Sequence, residues 1–380
     1  MKTKFLLYII CLILFTNSCI TPISNFEQVS SKSFLTVESS ISDETGQQRT
    51  RLYMSADKLI GSYFTPITKA KVYITDEKGI REDLTEQNTK GTYLTSAKFA
   101  GRVGGTYTLN IETSDGKKYQ STAETMKAVP EIENIITQFQ VLDNYAKGDT
   151  RRGGFNIYVD LQDPATQGDN YQWYWKHYQR ANICETCVGG SYNFLSNACV
   201  YPRIPTDQIL NYLCDGDCWD IAFSTDLNIF SDTYLNGQRI TGKQVARIPF
   251  DGISKYYLQF EQRAITRNSY NYYQGLSAQT QNNGTLFDVP AETRFSFNVK
   301  SLTNPDEKIL GIFDVYSVRK KIFYIDRSVG VSAGETPTTT SFPGDIFSCP
   351  PGGAAPNCKD KVQCAVGLFR TPFKPEGWKD

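Results

Sequence analysis

Cysteines are the residues of this sequence with the clearest chemistry. Besides Cys11 and Cys19 near the N-terminus, eight remain, five in one cluster and three near the C-terminus: Cys184, Cys187, Cys199, Cys214, Cys218, Cys349, Cys358 and Cys364. An even number of cysteines in an exported chain is typical of disulfide bonds. The N-terminal segment described below indicates export, so we predict disulfides among these eight residues.

The spacing within the first cluster leaves zinc as an alternative. Cys184-Glu185-Thr186-Cys187 and Cys214-Asp215-Gly216-Asp217-Cys218 have the short spacings of zinc knuckles. Four thiolates at these positions would bind zinc tetrahedrally and leave Cys199 for another partner. In an oxidising compartment we expect disulfides instead, so the sequence predicts neither a metal site nor a cofactor.

The number of cysteines in each cluster restricts how they pair. Five lie between Cys184 and Cys218, and three lie between Cys349 and Cys364. Because both numbers are odd, complete internal pairing requires at least one disulfide between the clusters. The C-terminal tail is therefore predicted to fold back onto residues 184–218. In the chain-entropy model, closing so long a loop stabilises the folded chain by about 4–5 kcal/mol.

The N-terminus, residues 1–18, has the features of a secretory signal. Lys2 and Lys4 precede an apolar run over residues 5–15, and a short polar stretch leads into Cys19. That order of charge, apolar core and small residues directs export, and the apolar run is shorter than the roughly 20 residues that span a bilayer. Cys19 is placed as in a lipobox. We therefore predict that Cys19 is lipidated and attaches the mature chain to a membrane.

Few residues favour catalysis. His177 is the one histidine of the sequence, and it lies in the strand-like aromatic run at residues 171–178. Most hydrolytic mechanisms, and most catalytic zinc sites, require a well-placed imidazole. The carboxylate pairs at residues 160/163 and 215/217 would serve a hydrolase only if they lay about 5–10 Å apart across a cleft. We therefore predict that the protein is not an enzyme and has no catalytic residues.

Two tryptophans are the remaining candidates for ligand contact. Trp173 and Trp175 would form a stacking platform for sugar rings if both faced solvent. The alternative is that both fill the core side of a sheet, as aromatic residues of strands usually do. The sequence leaves both interpretations open.

Charge and composition restrict the partners and the fold class. Lysine and arginine number 40, as do aspartate and glutamate, and loss of Lys2 and Lys4 with the signal leaves 38 basic against 40 acidic residues. This near-neutral balance argues against nucleic acid or an anionic membrane surface as the main partner. The 23 tyrosines and 22 phenylalanines, with glycine and proline spread throughout, favour antiparallel β-structure.

Alternating apolar residues predict a first β-domain over residues 33–130, behind a lipidated tether at residues 19–32. The pattern is clearest at residues 35–41, 70–74 and 107–111, and the turns Asp76-Glu77-Lys78-Gly79 and Ser114-Asp115-Gly116-Lys117 separate strands as in hairpins. About seven such strands would form a small β-sandwich.

A larger β-rich domain is predicted over residues 131–380, with a cysteine-rich insertion at residues 181–220 and a cysteine-rich tail at residues 344–380. Its strands are expected at residues 154–160, 171–178, 244–249, 256–263, 295–299 and 309–318. A short helix is expected over residues 206–212, after Pro205, and another with Ser269 as its N-cap. The predicted fold class is thus all-β and mainly antiparallel, with one or two short helices.

These segments, in this order, resemble a Bacteroidota family of outer-membrane lipoproteins described as a domain of unknown function, family 4249. The resemblance extends from about Phe34 to Trp378 and rests on residues 70–74, 91–93, 105–109, 126–130, 269–279, 310–313 and 374–378. It implies that the N-terminal sandwich is prealbumin-like or immunoglobulin-like.

The resemblance also implies a function. The genes of members often lie next to genes for TonB-dependent receptors, the gated outer-membrane barrels that import nutrients. We therefore expect a non-catalytic accessory subunit of such a β-barrel, or of a larger outer-membrane assembly, lipid-anchored in the outer membrane through Cys19 and exposed at the cell surface. The alternative is a stand-alone surface lipoprotein that binds carbohydrate or peptide. The family supplies no catalytic residues and no cofactor.

Overall fold

Strands make up most of the computed structural model, which describes residues 33–55, 64–146, 149, 152–201, 207–281, 295–337, 345–346 and 361–379. In this part of the chain three strand pairs are parallel and the other pairs are antiparallel. The prediction of a mainly antiparallel all-β fold with short helices is therefore confirmed.

The N-terminal part forms nine strands. They are β1 Leu35–Ser42, β2 Arg49–Met54, β3 Thr65–Pro66, β4 Lys71–Asp76, β5 Arg81–Glu86, β6 Thr92–Leu94, β7 Thr106–Glu112, β8 Lys118–Ser121 and β9 Glu124–Thr125. The predicted turn between β4 and β5 is present, because Asp76 Oδ1 accepts hydrogen bonds from the backbone N–H groups of Lys78 and Ile80 at 2.9 and 2.8 Å. The side chain thus fixes the hairpin that the Asp-Glu-Lys-Gly sequence predicts.

The remainder of the described chain contains sixteen strands and two helices. The strands are β10 Ile132–Val141, β11 Gly153–Gln162, β12 Asn170–Arg180, β13 Ile183–Val188, β14 Ser191–Asn193, β15 Ala198–Val200, β16 Ile209–Asp215, β17 Trp219–Phe223, β18 Asn228–Ser231, β19 Arg239–Pro249, β20 Tyr256–Ile265, β21 Val299–Ser301, β22 Ile309–Ile325, β23 Asp345–Ile346, β24 Lys361–Gln363 and β25 Arg370–Thr371. The helices are α1 Arg267–Gln281 and α2 Ser328–Ser332.

One large sheet connects the N-terminal strands with later ones. Its strand order is β21-β8-β7-β4-β5-β6-β2-β1-β22-β20-β12-β17-β25. The long strand β22 lies in the middle, parallel to β1 on one side and antiparallel to β20 on the other. A three-stranded sheet, β10-β11-β19, stands apart from it.

Two hydrophobic cores result from this arrangement. The first joins the N-terminal strands to β21 and β22, since Leu35, Val37 and Leu109 pack in one cluster with Val299 and Phe313. The second lies between the β10-β11-β19 sheet and the β12-β20 part of the large sheet; its most buried members include Ile157, Val159, Tyr171, Ile248, Leu258 and Phe260. The two sheets therefore form a sandwich that buries one face of each.

Gly311 makes the parallel pairing of β1 and β22 feasible. Its φ is +88°, and a Cβ atom at this position would lie 2.0 Å from the carbonyl oxygen of Val37 on β1. A glycine is therefore required where β22 passes Val37.

The helix α1 is present where the sequence predicts a helix, but its N-cap differs. Thr266 is the residue before the helix, and its Oγ1 accepts a hydrogen bond from the N–H of Ser269 at 3.3 Å. Ser269 itself lies in the first turn and donates its hydroxyl to Asp314 Oδ1 at 2.6 Å. The prediction of Ser269 as the cap is wrong, because its side chain attaches the helix to β22 instead.

The helix predicted over residues 206–212 is also wrong. Residues 209–215 form strand β16, which pairs antiparallel with β13. Disulfides join Cys184 of β13 to Cys214 of β16 and Cys187 of β13 to Cys199 of β15. Pairing and cross-linking override the local helix-start signal of Pro205, which itself lies outside the described residues.

The strand predicted at residues 295–299 lies further along the chain, at Val299–Ser301. Phe295 instead forms an isolated bridge with Leu310. Strand β21 pairs with β8 of the N-terminal part. The predicted strand at residues 309–318 is present as part of β22.

Candidate functional site

The cysteine-rich insertion forms a small sheet of its own, which we call the bridged module (residues 181–201 and 207–218). In it β16 pairs antiparallel with β13. Tyr212 is buried in its centre, where its hydroxyl oxygen accepts a hydrogen bond from the N–H of Tyr192 at 2.8 Å. The module thus has a core made of cystines and aromatic rings.

Six of the eight predicted cysteines form disulfides. Two close within the bridged module, Cys184–Cys214 and Cys187–Cys199. The third, Cys218–Cys364, joins the module to the C-terminal tail, as predicted for complete internal pairing of two clusters with odd numbers of cysteines. Sulfur atoms in disulfides are not thiolates, so these six do not form the zinc site considered as an alternative. Cys349 and Cys358 lie outside the described residues.

Residues 361–379, which we call the C-terminal strap, are attached to the body of the protein at several points. Its strand β24 pairs with β16, and β25 pairs with β17, which lies next to the edge of the large sheet. Arg370 donates hydrogen bonds from Nε to Asp220 at 2.6 Å and from Nη1 to the carbonyl oxygen of Cys184 at 2.7 Å. The strap therefore connects the bridged module to the large sheet.

An aromatic cluster holds the far end of the strap. The indole of Trp378 packs at centroid distances of 5.6–6.4 Å against three rings of the large sheet, those of Trp219, Tyr257 and Tyr324. The Tyr257 hydroxyl also donates a hydrogen bond to the carbonyl oxygen of Glu376 at 2.7 Å.

Between its two fixed ends the strap exposes large apolar side chains. Four of them lie within eight residues and are 63–72% exposed: Val366, Leu368, Phe369 and Phe373. The bridged module carries further exposed apolar residues, namely Val188, Leu195, Val200 and Tyr201. A soluble surface normally scatters such residues singly, and a concentration of them marks an interaction site. Sequence reasoning missed this feature, although the run Val366-Gly367-Leu368-Phe369 was its visible signal.

A cationic and aromatic cluster lies on the same sheet, next to the strap. The Glu261 side chain is 4% exposed and accepts a hydrogen bond from Arg263 Nη2 at 2.6 Å, while Lys176 and Lys320 each lie 3.9 Å from it. Burial alone would raise the pKa of Glu261, but the attraction of the three cations outweighs it, so this pKa lies below its usual value. Burial lowers the pKa of Lys176.

Ring contacts connect this cluster to the strap. The guanidinium of Arg263 lies between the rings of Tyr174 and Tyr316, at 4.8 and 4.6 Å from their centroids. Tyr174 contacts Phe223, and Phe223 contacts Phe369 of the strap. Ring contacts thus run from the strap to this cluster, in which Arg263 and Glu261 are largely buried and Lys176 and Lys320 are about a third exposed.

A groove of about 430 Å³ lies beside α1. Its lining includes Glu38, whose carboxylate accepts a hydrogen bond from the Tyr53 hydroxyl and pairs with Arg51 at 3.2 Å. The Glu38 carboxylate, which would otherwise select ligands for this groove, is thus already bound to Tyr53 and Arg51 of β2.

The structure places the two candidate stacking residues on β12. Trp173 is 2% exposed and donates its indole N–H to Gln262 Oε1 at 2.9 Å, so both faces of its ring lie in the core. Trp175 is partly buried and packs against the same core. Trp173 therefore presents no ring face to a ligand.

His177 is a buried strand residue. Its ring stacks on Tyr256 at 3.5 Å between centroids, and Nδ1 lies 2.7 Å from the carbonyl oxygen of Tyr257. Burial lowers its pKa, which favours the neutral form.

The carboxylates that were considered as catalytic pairs have separate structural partners. Asp160 accepts a hydrogen bond from the N–H of Gly242 at 2.7 Å, and Asp217 pairs with Arg180. Asp215 accepts a hydrogen bond from Gln363 of the strap. These hydrogen bonds and this ion pair connect separate segments of the chain.

The predicted signal and the predicted lipidation site Cys19 lie outside the described residues. Among the residues that are described, no helix has the length and apolar character needed to cross a membrane.

The sequence profile of one protein family matches this chain over residues 20–322, most of its length. That family is described as a domain of unknown function, DUF4249. The chain belongs to the DUF4249 family. None of the curated protein sequences compared with it matches.

The DUF4249 match ends within β22, so it covers the N-terminal strands, both sheets of the second core and the bridged module, whereas the strap follows it in the sequence. In this DUF4249 chain the exposed apolar surface is thus built from a family-matched module and a C-terminal segment that the Cys218–Cys364 bond joins to it.

Proposed function

We propose that this protein is a non-catalytic accessory lipoprotein of the bacterial outer membrane, anchored through Cys19 and docked on a TonB-dependent β-barrel receptor. The bridged module and the strap form its docking surface. The sequence resembles Bacteroidota outer-membrane lipoproteins whose genes lie next to those of such receptors. This resemblance supports the choice of partner, the Bacteroidota origin and the cell-surface location. A larger outer-membrane assembly is the variant of the same proposal.

One observation carries the proposal: the strap exposes Val366, Leu368, Phe369 and Phe373 on a backbone that is fixed at both ends. Exposed apolar side chains on a flexible tail would lose much of their binding energy to ordering. Here Cys218–Cys364 and the Trp378 cluster hold the strap in place before a partner arrives. A preorganised apolar surface of this kind suits a stable, non-catalytic contact.

The position of the tryptophans supports docking over stand-alone carbohydrate binding. A sugar stack needs an accessible ring face, and that of Trp173 is covered by the core. Lys176 and Lys320, each about a third exposed, add polar groups on the sheet that carries the strap, and interfaces commonly have a polar rim.

Co-purification tests the proposal. The tagged full chain is extracted from its native outer membranes in a mild detergent, and its partners are identified by mass spectrometry. We expect a TonB-dependent barrel at near one-to-one ratio. The double variant Leu368→Asp/Phe373→Asp is expected to lose this barrel, because two buried carboxylates in an apolar interface are unfavourable.

Ile80→Asp is the matched control. Ile80 is 66% exposed in the turn between β4 and β5, away from the strap in the strand order, and the variant is expected to retain the barrel. Purification of the wild-type chain alone would contradict the proposal, and so would full retention of the barrel by the strap variant. Capture of a larger complex that depends on Leu368 and Phe373 would favour the assembly variant.

A further inference from the structure

Three aspartates meet at the ends of strands of the second core. Asp163 follows β11, Asp169 precedes β12, and Asp232 follows β18. One carboxylate oxygen of each lies within 4.8 Å of the corresponding oxygens of the other two. All three residues are buried, at 1%, 3% and 0% exposure. The two loops that carry them, residues 163–169 and 232–238, are joined by the backbone hydrogen bond from Asp232 N–H to the Asp169 carbonyl at 3.0 Å.

Two of these carboxylates have hydrogen-bond donors from the protein. Asp163 accepts from the Tyr171 hydroxyl at 2.5 Å and from the N–H of Gly237 at 2.9 Å. Asp169 accepts from Thr166 Oγ1 at 2.5 Å and from Lys127 Nζ at 2.8 Å. These contacts orient the two side chains while leaving lone pairs for a further partner, since each carboxylate offers about four acceptor positions.

Asp232 is different. It is completely buried, and within the described residues neither Oδ1 nor Oδ2 accepts a hydrogen bond. Burying a carboxylate without a compensating group is among the most unfavourable arrangements in a protein. Asp232 therefore lacks the compensating group that a buried carboxylate requires, and one of its oxygens lies within 4.8 Å of a carboxylate oxygen of Asp163 and of Asp169.

The charge of the cluster indicates what that ligand is. The three aspartates carry three negative charges, and Lys127, whose ammonium also contacts the carbonyl oxygens of Gln167 and Gly168 at 3.0 and 2.8 Å, supplies one positive charge. Two negative charges remain, which a divalent cation would neutralise. A proton shared between two carboxylates would leave the site anionic.

We propose that Asp163, Asp169 and Asp232 bind a calcium ion. Calcium–oxygen distances of about 2.3–2.6 Å place two oxygens on one ion at most about 5 Å apart, which agrees with the observed spacing of the carboxylates. Oxygen-only ligands favour calcium or magnesium over zinc or copper. Calcium suits a fully buried site better, because magnesium dehydrates reluctantly and retains several waters.

The ion would fasten the two loops that connect the sheets of the second core. Loop 163–169 runs from β11 of the three-stranded sheet to β12 of the large sheet, and loop 232–238 runs from β18 back to β19. A ligand that binds only the folded arrangement stabilises it by mass action. Disulfides such as these are typical of an oxidising compartment outside the cytosol, where calcium sites of millimolar affinity are occupied.

Thermal unfolding of the purified full chain tests the site. The chain is treated with a chelator, and its melting temperature is measured without metal and with about 5 mM CaCl₂, above the roughly 0.1–1 mM dissociation constants of extracellular calcium modules. We expect calcium to raise the melting temperature by about 1–3 °C. Calorimetric titration of the same sample is expected to give one calcium per chain.

The variant Asp232→Asn separates calcium binding from a structural role. It removes the unpartnered buried charge, so the chelated variant is expected to melt at or above the temperature of the chelated wild type, and calcium is expected to cause no shift. Asp163→Asn is a second variant that should lose the calcium shift. Asp226→Asn is the matched control, because Asp226 is an exposed aspartate two residues before β18, and it should keep the full shift.

Terbium luminescence locates the ion. Terbium replaces calcium in oxygen sites and is excited through nearby aromatic rings; Tyr171, whose hydroxyl contacts Asp163, is such a ring. We expect tyrosine-sensitised emission that calcium competes away and that Asp232→Asn abolishes. The proposal is overturned if wild type shows neither a calcium shift nor competed emission, if Asp232→Asn retains both, or if equimolar MgCl₂ gives the same shift.

Discussion

At Gly311 the backbone of β22 lies in contact with the backbone of β1, although the two strands are far apart in the sequence. Its positive φ and its closeness to the Val37 carbonyl are separate demands, one conformational and one steric. Gly79, in the β4–β5 turn, has a similar φ of +78° but open space around it. Comparing the two glycines separates the steric cost from the conformational cost.

Gly311→Ala is expected to lower the free energy of unfolding by about 3 kcal/mol or more, because the new Cβ must displace β1 as well as adopt a left-handed conformation. Gly79→Ala is expected to cost only about 1 kcal/mol, the conformational part. Urea unfolding of both variants measures the difference. Equal losses would show that the close approach to Val37 has no energetic weight.

Glu261 provides a second residue-scale prediction, which concerns charge. Glu261→Gln leaves Arg263, Lys176 and Lys320 without their shared anion, and we expect a loss of about 2–3 kcal/mol in the free energy of unfolding at pH 7. This is below the roughly 3–5 kcal/mol of a fully buried pair, because both lysines are about a third exposed. Glu44→Gln is the control. Glu44 forms a half-exposed pair with Lys320, and such pairs contribute under about 1 kcal/mol.

The pH dependence of the same variant follows from the lowered pKa of Glu261. Because its folded pKa lies below its unfolded value of about 4.3, its stabilising contribution is present above that value and is lost as the pH falls through the folded pKa. Urea unfolding from pH 7 down to about pH 3 should therefore show a smaller gap between wild type and Glu261→Gln at the acid end. A gap that stays constant would rule out the ionised form as its source.

At the scale of elements, the strap depends on a disulfide that spans a long stretch of sequence. Cys218 and Cys364 are 146 residues apart, whereas Cys187 and Cys199 are 12 apart. In the chain-entropy model the first bond stabilises the fold by up to about 5 kcal/mol and the second by about 3 kcal/mol.

Replacing both cysteines of each bond by serine tests this order. Cys218→Ser/Cys364→Ser is expected to lower the free energy of unfolding more than Cys187→Ser/Cys199→Ser does, as measured by urea unfolding under non-reducing conditions. Limited proteolysis should then cut the strap of the first variant near Leu368 and leave the strap of the second intact. If both variants resist cleavage equally, β25 and the Trp378 cluster are sufficient to hold the strap.

At the scale of the whole molecule, the N-terminal core is completed by strands from far along the chain. Val299, Phe313 and Val315 are 0–3% exposed within it, and β22 supplies the neighbour of β1. The boundary near residue 130, predicted from the sequence, therefore separates two stretches of chain that share a sheet.

We expect a fragment of residues 33–130 to remain unfolded, because it lacks β21, β22 and their apolar side chains. Circular dichroism and amide exchange of the fragment measure this, with the full chain as the folded reference. Adding a peptide of residues 295–325 is expected to restore protection of β1. Cooperative folding of the fragment alone would instead establish residues 33–130 as an independent domain.

Local patterns in the sequence were sufficient for many elements. Alternating apolar residues predicted β1, β4 and β7, because a strand with one buried face must alternate. Odd cysteine numbers in the two clusters required the bond that proved to be Cys218–Cys364. Both inferences depend only on neighbouring residues or on counting, so they hold whatever the tertiary fold.

Other features depended on residues that are distant in the sequence. Residues 209–215 form a strand because they pair with β13 and because Cys214 is bonded to Cys184 of that strand. Ser269 does not cap its helix, because its hydroxyl donates a hydrogen bond to Asp314 on β22. The exposure of the strap and the burial of Trp173 also follow from what packs beside them.

The sequence by itself thus determined the β-rich class, the hairpins of the N-terminal part and the need for a disulfide between the cysteine clusters. The tertiary structure alone decided the parallel pairing of β1 with β22, the surface of the strap and the meeting of Asp163, Asp169 and Asp232. The physical reason is that strand alternation and cysteine number are local or countable properties. A sheet partner, an exposed face or a shared ligand exists only once distant segments are brought together.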